Sequence, residues 1–222
     1  MVSVILAGGG KGIRLENKLP KSLVKIKGKE LFIYSIKKFH SLKEVTEIIL
    51  VLPEKYIFSI KKKLKNKFPK LKGIISGGKT RQESVFLGLK ALTLKNKIVL
   101  IHDVARPFVS KEIIKNVIEK TKMYGACIPV IPIVDTLKEV KGKFVVKTVD
   151  REKIFSVQTP QGFKREVIQK AYEKAKKENF YGSDDASLVE NLGKRVYIIK
   201  GEYQNIKITV PFDLKIAKQL WK

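Results

Sequence analysis

With 222 residues, 44% of them hydrophobic, the chain can bury a sizeable core, and one α/β domain spanning 1–222 is the expectation. No apolar run is long enough to span a bilayer, Met1 leads straight into a strand without a signal-peptide pattern, and the lone Cys127 rules out an internal disulfide, so a cytoplasmic protein is expected. The net charge of +26 suggests nucleic acid, yet the lysines are spread through nearly every expected helix and no basic stretch interleaves aromatics; solvated helix faces account for most of them, and the surplus favours anionic substrates.

Val2 to Leu6 reads as a short buried strand. It opens into Ala7-Gly8-Gly9-Gly10-Lys11-Gly12-Ile13-Arg14 and on to Pro20-Lys21. Glycines let backbone N–H groups approach a ligand, and the cations suit a polyphosphate, so a nucleoside triphosphate is expected here. The loop departs from the dinucleotide fingerprint, with Leu15 where a third glycine belongs, and from the P-loop pattern. Tight packing at a strand end is the structural alternative.

Leu23–Ile26 is expected as a short strand ending at Gly28, and residues 31–42 carry apolar groups at helical spacing. Ile48–Leu52 is a β-branched run stopped by Pro53. A lysine-rich helix is expected over 55–67 and a strand over Gly73–Ser76, closed by Gly77-Gly78. Thr80-Arg81-Gln82-Glu83 matches a capping box, which places Gly77-Gly78-Lys79 at a helix N-terminus suited to an anion or a carbonyl. Lys97–Ile101 runs as a strand into His102-Asp103-Val104-Ala105-Arg106-Pro107. A helix over 111–123 follows, capped by Ser110 and stopped by Gly125, then a strand over Ala126–Ile131. This alternation predicts a mostly parallel sheet with helices on both faces.

From about 133 to 160 the pattern changes: Thr136–Val140 and Phe144–Val149 flank Lys141-Gly142-Lys143 as a hairpin. A lone ribbon is marginal, so a partner subunit is the natural surface for this arm. Helices at 164–177 and 184–191, a strand at 195–199 and a helix from Pro211 to Trp221 complete the chain.

In such a sheet the ligand crevice lies at the strand ends, where the loops 7–21, 77–84 and 102–107 converge. Asp103 is the candidate Mg²⁺ ligand, sharing the ion with substrate phosphates; an ion pair with Arg106 is the alternative. His102 is expected to point away and is given no chemistry, and His40 is read as a surface or packing residue on a helix. No Cys/His cluster suggests zinc, and no Gly-x-Ser-x-Gly elbow suggests a hydrolase. Asn205-Ile206-Lys207-Ile208-Thr209 alternates like a half-buried strand; Lys207 is either on an exposed face or a third cation for the triphosphate.

Gly10-x-Gly12-x-Arg14 with Pro20-Lys21, Gly77-Gly78 with Arg81 and Ser84, and His102-Asp103-x-Ala105-Arg106-Pro107 occur in that order. Asp135-Thr136, Val149-Asp150-Arg151, Thr159-Pro160-Gln161, Asp184 with Ala186-Ser187, and Asn205-Ile206-Lys207 follow. In this set the chain resembles the 2-C-methyl-D-erythritol 4-phosphate cytidylyltransferases of the non-mevalonate isoprenoid pathway. The resemblance implies a Rossmann-like nucleotidyltransferase fold (GT-A-like) with a protruding β-hairpin arm, Mg²⁺ dependence and a homodimer formed through that arm.

It further implies that Arg14, Lys21 and Lys207 bind the CTP phosphates and stabilise charge at the α-phosphorus, and that Asp103 holds the metal. Gly8, Gly9, Gly10 and Gly12 would line the nucleotide, with Gly78 and Ser84 reading cytosine. Arg106, Thr159 and Ser183 would place the methylerythritol phosphate, and Thr136 and Arg151 would reach it from the other subunit. Four features depart from the family pattern: a third consecutive glycine in Gly8–Gly10, Ser22 in place of glutamine, Lys79 in place of an acidic residue, and Ser183 in place of threonine, which keeps the hydroxyl.

An attacking phosphate oxygen is already ionised near neutrality, so the task is alignment and charge neutralisation, and no catalytic histidine or cysteine is needed. Ribitol-5-phosphate cytidylyl transfer, a basic nucleic-acid-binding module and a non-catalytic family member stand as alternatives.

Overall fold

The computed structural model describes residues 1–9 and 19–220. Chain order gives β1 (Val2–Ala7), a 3₁₀ turn (Lys21–Leu23), β2 (Lys25–Ile26), β3 (Lys29–Glu30), α1 (Leu31–His40), β4 (Val45–Leu52), α2 (Ile57–Leu64), β5 (Leu71–Ser76), α3 (Arg81–Lys90) and β6 (Ile98–Asp103). There follow α4 (Lys111–Tyr124), β7 (Ala126–Pro132), β8 (Leu137–Lys141), β9 (Phe144–Val149), β10 (Phe155–Val157), β11 (Gln161–Lys164), α5 (Arg165–Lys177), α6 (Asp185–Asn191), β12 (Tyr197–Lys200) and α7 (Pro211–Leu220).

The main sheet runs β10-β7-β11-β6-β1-β4-β5, with β12 also paired to β7. β1 pairs in parallel with β4 and β6, and β4 with β5, so their carboxyl ends share one edge. Both faces are covered, which is why these strands read as continuous apolar runs. Alternation along β1 divides the core. Val4 and Leu6 face Phe32, Ile36, Ile113 and Val117 of α1 and α4. Ile5 faces Val85, Leu89 and Ile168 of α3 and α5 on the other side. Each such fully buried aliphatic side chain contributes about 1.5–3 kcal/mol.

Helix α3 comes unusually near β1: a Cβ on Gly88 would lie 2.7 Å from Ile5 Cγ2. A small third cluster, with Ile26, Leu31, Ile208 and Ala217, anchors α7 beside the β2–β3 turn. That turn uses Lys27 and Gly28, both at positive φ (45° and 74°).

The caps follow the sequence. Thr80 accepts from Glu83 N and Ser110 from Ile113 N, and Gly125 ends α4 at φ 89°. Glu83 turns its carboxylate to Lys79 N rather than to the cap residue, a variant of the expected box.

Three expectations are corrected. Residues 23–26 are not one strand: the 3₁₀ turn ends at Leu23, and only Lys25–Ile26 pairs, with Lys29–Glu30. Residues 205–209 form a loop, in which Ile208 N donates to Ala105 O at 2.8 Å outside any strand ladder. The region after the hairpin holds two strands that were not expected, β10 and β11. β11 runs antiparallel to both β6 and β7. It carries Gly162 where a Cβ would meet Thr121 Oγ1 at 2.3 Å and Val117 Cγ1 at 2.6 Å, so glycine lets α4 lie against the sheet there.

β8 and β9 form a separate two-stranded sheet. Val140, Phe144, Val145 and Val146 on it are more than half exposed. Among the described residues no helix is long and apolar enough to cross a membrane.

Candidate active site

At the carboxyl edge of the sheet, β1 ends in Gly8-Gly9 and β5 in Gly77-Gly78. The two segments lie against each other: a Cβ on Gly9 would fall 3.1 Å from Ser84 Oγ and 3.2 Å from Gly77 Cα. Ser84, buried on the first turns of α3, accepts from Gly78 N at 3.0 Å and donates to Thr80 O at 2.8 Å. Its hydroxyl therefore holds the turn together. On the other side, Ser22 Oγ donates to Gly8 O at 2.9 Å, so the 3₁₀ turn carries its neighbour Lys21 against the glycine segment. Serine at position 22 thus has a structural role of its own. Gly10, Gly12 and Arg14 lie outside the described residues.

Asp103 is the last residue of β6 and is buried. Its Oδ1 accepts from Arg81 Nε at 3.0 Å and its Oδ2 from Lys207 Nζ at 2.7 Å. Burial pushes its carboxyl up, but the two cations outweigh burial and hold it well below the usual carboxylate range. The ion pair weighed for Asp103 with Arg106 is not formed. Arg106 donates instead to the carbonyls of Asn205 (2.7 Å) and Val157 (3.1 Å), and its buried Nε has no partner among the described residues.

Behind the cleft, Arg81 Nη2 donates to Asp185 Oδ2 at 2.7 Å and Tyr172 Oη to Asp185 Oδ1 at 2.5 Å. Asp185 is wholly buried in the first turn of α6, a position fixed by the Asp184–Ser187 capping box. Gln161 completes the frame: its Oε1 accepts from the backbone N–H of Asp185 and Ala186, and its Nε2 donates to Asp184 Oδ2 at 2.6 Å.

His102 does not stand idle, as its opposite-facing position in the strand suggested. Its Nε2 lies 3.1 Å from Arg106 O and its Nδ1 3.0 Å from Thr159 Oγ1, which also accepts from Asp103 N at 3.1 Å. A carbonyl only accepts, so the network assigns the proton to Nε2 and makes Thr159 the donor to Nδ1. Burial lowers the His102 pKa to about 4, so the ring is neutral near pH 7 and serves as a brace. Asn205 Nδ2 donates to Thr159 O at 2.9 Å, which ties the 202–209 loop to the same threonine.

A cavity of about 260 Å³ results, lined by Arg81, Asp103, Arg106, Thr159, Ser183 and Lys207 among others. The expected residues Asp103, Arg106, Thr159, Ser183 and Lys207 come together here. Thr136 and Arg151 are exposed on the arm and do not line the cavity; Arg151 donates to Val134 O. Sequence reasoning assigned no role to Arg81, Asp185, His102 or Asn205. The adjacent Asp184-Asp185 pair at a helix start was the one available signal for a buried acid needing a cation.

As a metal centre, the site offers the carboxylate of Asp103; Asp184, the other carboxylate lining the cavity, is taken up by Gln161 Nε2 and Ser187 N. Among the described residues no group of three or more His, Cys, Asp or Glu converges. That donor set fits a magnesium ion carried largely by substrate phosphates and does not fit a metal held by the protein alone.

Cations gathered around one ionised carboxylate, at the carboxyl edge of an open α/β sheet beside two glycine turns, define a nucleotide-handling transferase of the Rossmann-like class. The sequence profile of the family described as 2-C-methyl-D-erythritol 4-phosphate cytidylyltransferase matches residues 1–222. The enzyme of that name from Syntrophus aciditrophicus is 39% identical over 224 residues, covering 100% of this chain and 96% of that one. The Clostridium perfringens enzyme is 43% identical over 225 residues, covering 100% and 99%. The crystal structure of the Thermus thermophilus enzyme superposes with a TM-score of 0.80 at 35% identity, covering 98% and 97% of the two chains. That of the Anaerococcus prevotii 4-diphosphocytidyl-2C-methyl-D-erythritol synthase gives 0.87 at 31%, covering 99% and 95%. The chain belongs to the 2-C-methyl-D-erythritol 4-phosphate cytidylyltransferase family and is a nucleotidyltransferase.

Proposed function

We propose that this chain, acting as one nucleotidyltransferase unit over 1–222 with its arm at about 133–160, transfers CMP from CTP to 2-C-methyl-D-erythritol 4-phosphate. The products are 4-(cytidine 5′-diphospho)-2-C-methyl-D-erythritol and pyrophosphate. The observation that carries the site reading is the fork of Arg81 and Lys207 on Asp103, which concentrates cations where phosphates must meet.

In the reaction an ionised oxygen of the acceptor phosphate attacks the α-phosphorus of CTP. The new P–O bond forms as the bond to the bridging oxygen breaks, and pyrophosphate leaves with that electron pair. No proton has to be removed from the nucleophile. Lys21, Lys207 and Arg14 neutralise the triphosphate and the charge that builds at the α-phosphorus, the kind of preorganised stabilisation that dominates such reactions. Gly8, Gly9, Gly10, Gly12 and Gly78 present backbone to the nucleotide, and Ser84 keeps the cytosine-side turn in place. Arg106, Thr159 and Ser183 orient the polyol phosphate, with His102 and Asn205 fixing Thr159. Mg²⁺, held by Asp103 and the nucleotide phosphates, supplies further charge neutralisation when bound.

The arm's exposed apolar residues support a homodimer in which Thr136 and Arg151 of one subunit reach the acceptor phosphate in the other. A cytoplasmic location suits the soluble anionic substrates.

The test is pyrophosphate release from CTP with Mg²⁺ and either methylerythritol 4-phosphate or ribitol 5-phosphate. Turnover is expected with the first acceptor and not the second. Turnover with ribitol 5-phosphate alone, or with neither, overturns the reading.

A further inference from the structure

At the opposite pole of the sheet from Asp103, where β6 begins and β11 ends, lies a second and larger cavity of about 610 Å³. Lys95, Lys97, Lys122, Lys164 and Arg165 line it, against one carboxylate, Glu166. Cations are five of its nine lining residues, compared with 47 of 222 in the whole chain, so the concentration exceeds what a generally basic surface delivers.

The five come from separate parts of the fold: the loop before β6, the last turn of α4, the end of β11 and the start of α5. The frame that brings them together is firmly tied. Arg165 N donates to Lys97 O at 2.8 Å and Lys164 N to Gly125 O at 2.7 Å. The Arg165 guanidinium is held by the carbonyls of Leu94 and Leu92. Asn96, on the same wall, is buried and donates to Ser3 Oγ and Thr46 Oγ1. Among the described residues none of the five cations has a carboxylate partner within ion-pair distance. Like charges gathered in a concavity repel one another, an unfavourable arrangement that a bound polyanion would reverse.

We propose that this cleft binds a small oligophosphate: linked phosphates, either free or carried by a nucleotide. The charge is gathered in one open concavity and does not run as a track, and the lining has no aromatic side chain on which a base could stack, so a nucleic-acid strand is disfavoured. The six residues of β6 separate the cleft from Asp103, roughly 16 Å at strand rise, so one small ligand cannot occupy both. The inference is independent of the reading of the active site.

Tripolyphosphate titrated calorimetrically into the full chain tests it. Wild type is expected to show two binding components. Lys207→Ala should weaken only one. Lys97→Glu/Lys122→Glu, both changes at exposed positions, should weaken the other by about tenfold or more while leaving the transfer rate unchanged. If charge reversal lowers the melting temperature, Lys97→Gln/Lys122→Gln provides the comparison at unchanged fold. A CTP or ATP titration on the Lys207→Ala background distinguishes free from nucleotide-borne phosphates. The proposal is overturned if the double variants bind tripolyphosphate as wild type does, or if Lys207→Ala alone removes all binding. It is equally overturned if a single-stranded oligonucleotide displaces tripolyphosphate from the cleft at matched phosphate concentration.

Discussion

Arg81 Nε lies 3.0 Å from Asp103 Oδ1 while the far end of the same guanidinium, Nη2, lies 2.7 Å from Asp185 Oδ2. One planar cation thus links the carboxylate of the cleft to a wholly buried carboxylate behind it. Lysine, a point charge on a flexible stem, cannot make both bonds in that fork geometry. Arg81→Lys is therefore expected to lower kcat/KM by about 10–100-fold and to cost about 2 kcal/mol of stability, because Asp185 is left short of a partner. Steady-state kinetics and urea unfolding check the two effects. A variant with wild-type values for both would show that the bridge is incidental.

His102 gives the fold an acid-sensitive element. Its pKa falls from 6.5 to about 4 on folding, chiefly because it is buried. The unfolded chain therefore takes up this proton first as pH falls. The stability tied to neutral His102 is fully present above pH 6.5 and is lost as pH falls through about 4. The full effect is about 3 kcal/mol. His102→Gln is expected to flatten the pH dependence of the urea midpoint across that window. It should also raise the acceptor KM more than it lowers kcat, since Thr159 loses its fixed orientation. An unchanged pH slope would contradict the buried, neutral assignment.

Gly162 admits α4 to the sheet, with a Cβ there only 2.3 Å from Thr121 Oγ1. Gly162→Ala should destabilise by about 1–3 kcal/mol through overpacking. The reading is a lower urea midpoint at unchanged m-value. A midpoint equal to wild type would mean that α4 has room to move away.

If active sites are shared through the arm, Arg151→Ala should raise the KM for the polyol phosphate and spare that for CTP. At an acceptor concentration too low for either variant to turn over alone, mixing Arg151→Ala and Lys21→Ala chains in equal amounts should then restore about a quarter of wild-type activity, since random pairing makes half the dimers mixed and each mixed dimer has one intact site. No recovery on mixing would place Arg151 in its own subunit's chemistry.

Much of this architecture could be read from residues alone, where one local rule governed. Buried strands showed as β-branched runs, α3 and α4 by Thr80 and Ser110 at their caps, and the arm by alternation around Gly142. Asp103 stood out because a carboxylate ending an apolar run has few explanations. β10 and β11 were not legible because each is three or four residues long and held by neighbours distant in the chain. Gly162, which reads locally as a break, is there to admit a helix. The 205–209 segment showed the converse: its alternation is real, but Ile208 packs into the α7 cluster while the backbone finds Ala105 and no strand. Arg81 and Asp185 lie 104 residues apart in sequence, and only the fold reveals that they need each other.

The missing methyl group at Gly88 has a reach beyond the core. One helical turn earlier on the same face of α3 stands Ser84, which meets Gly9 and Gly77 only because the helix axis rides so near β1. The spacing between helix and strand is thus the gauge that sets the width of the slot between the two glycine turns. That gauge is set inside the core, against the fully buried Ile5. If the base of the nucleotide lies in that slot, as proposed, then which base fits is a dimension inherited from the core, adjustable by a single carbon at a position remote from the slot itself.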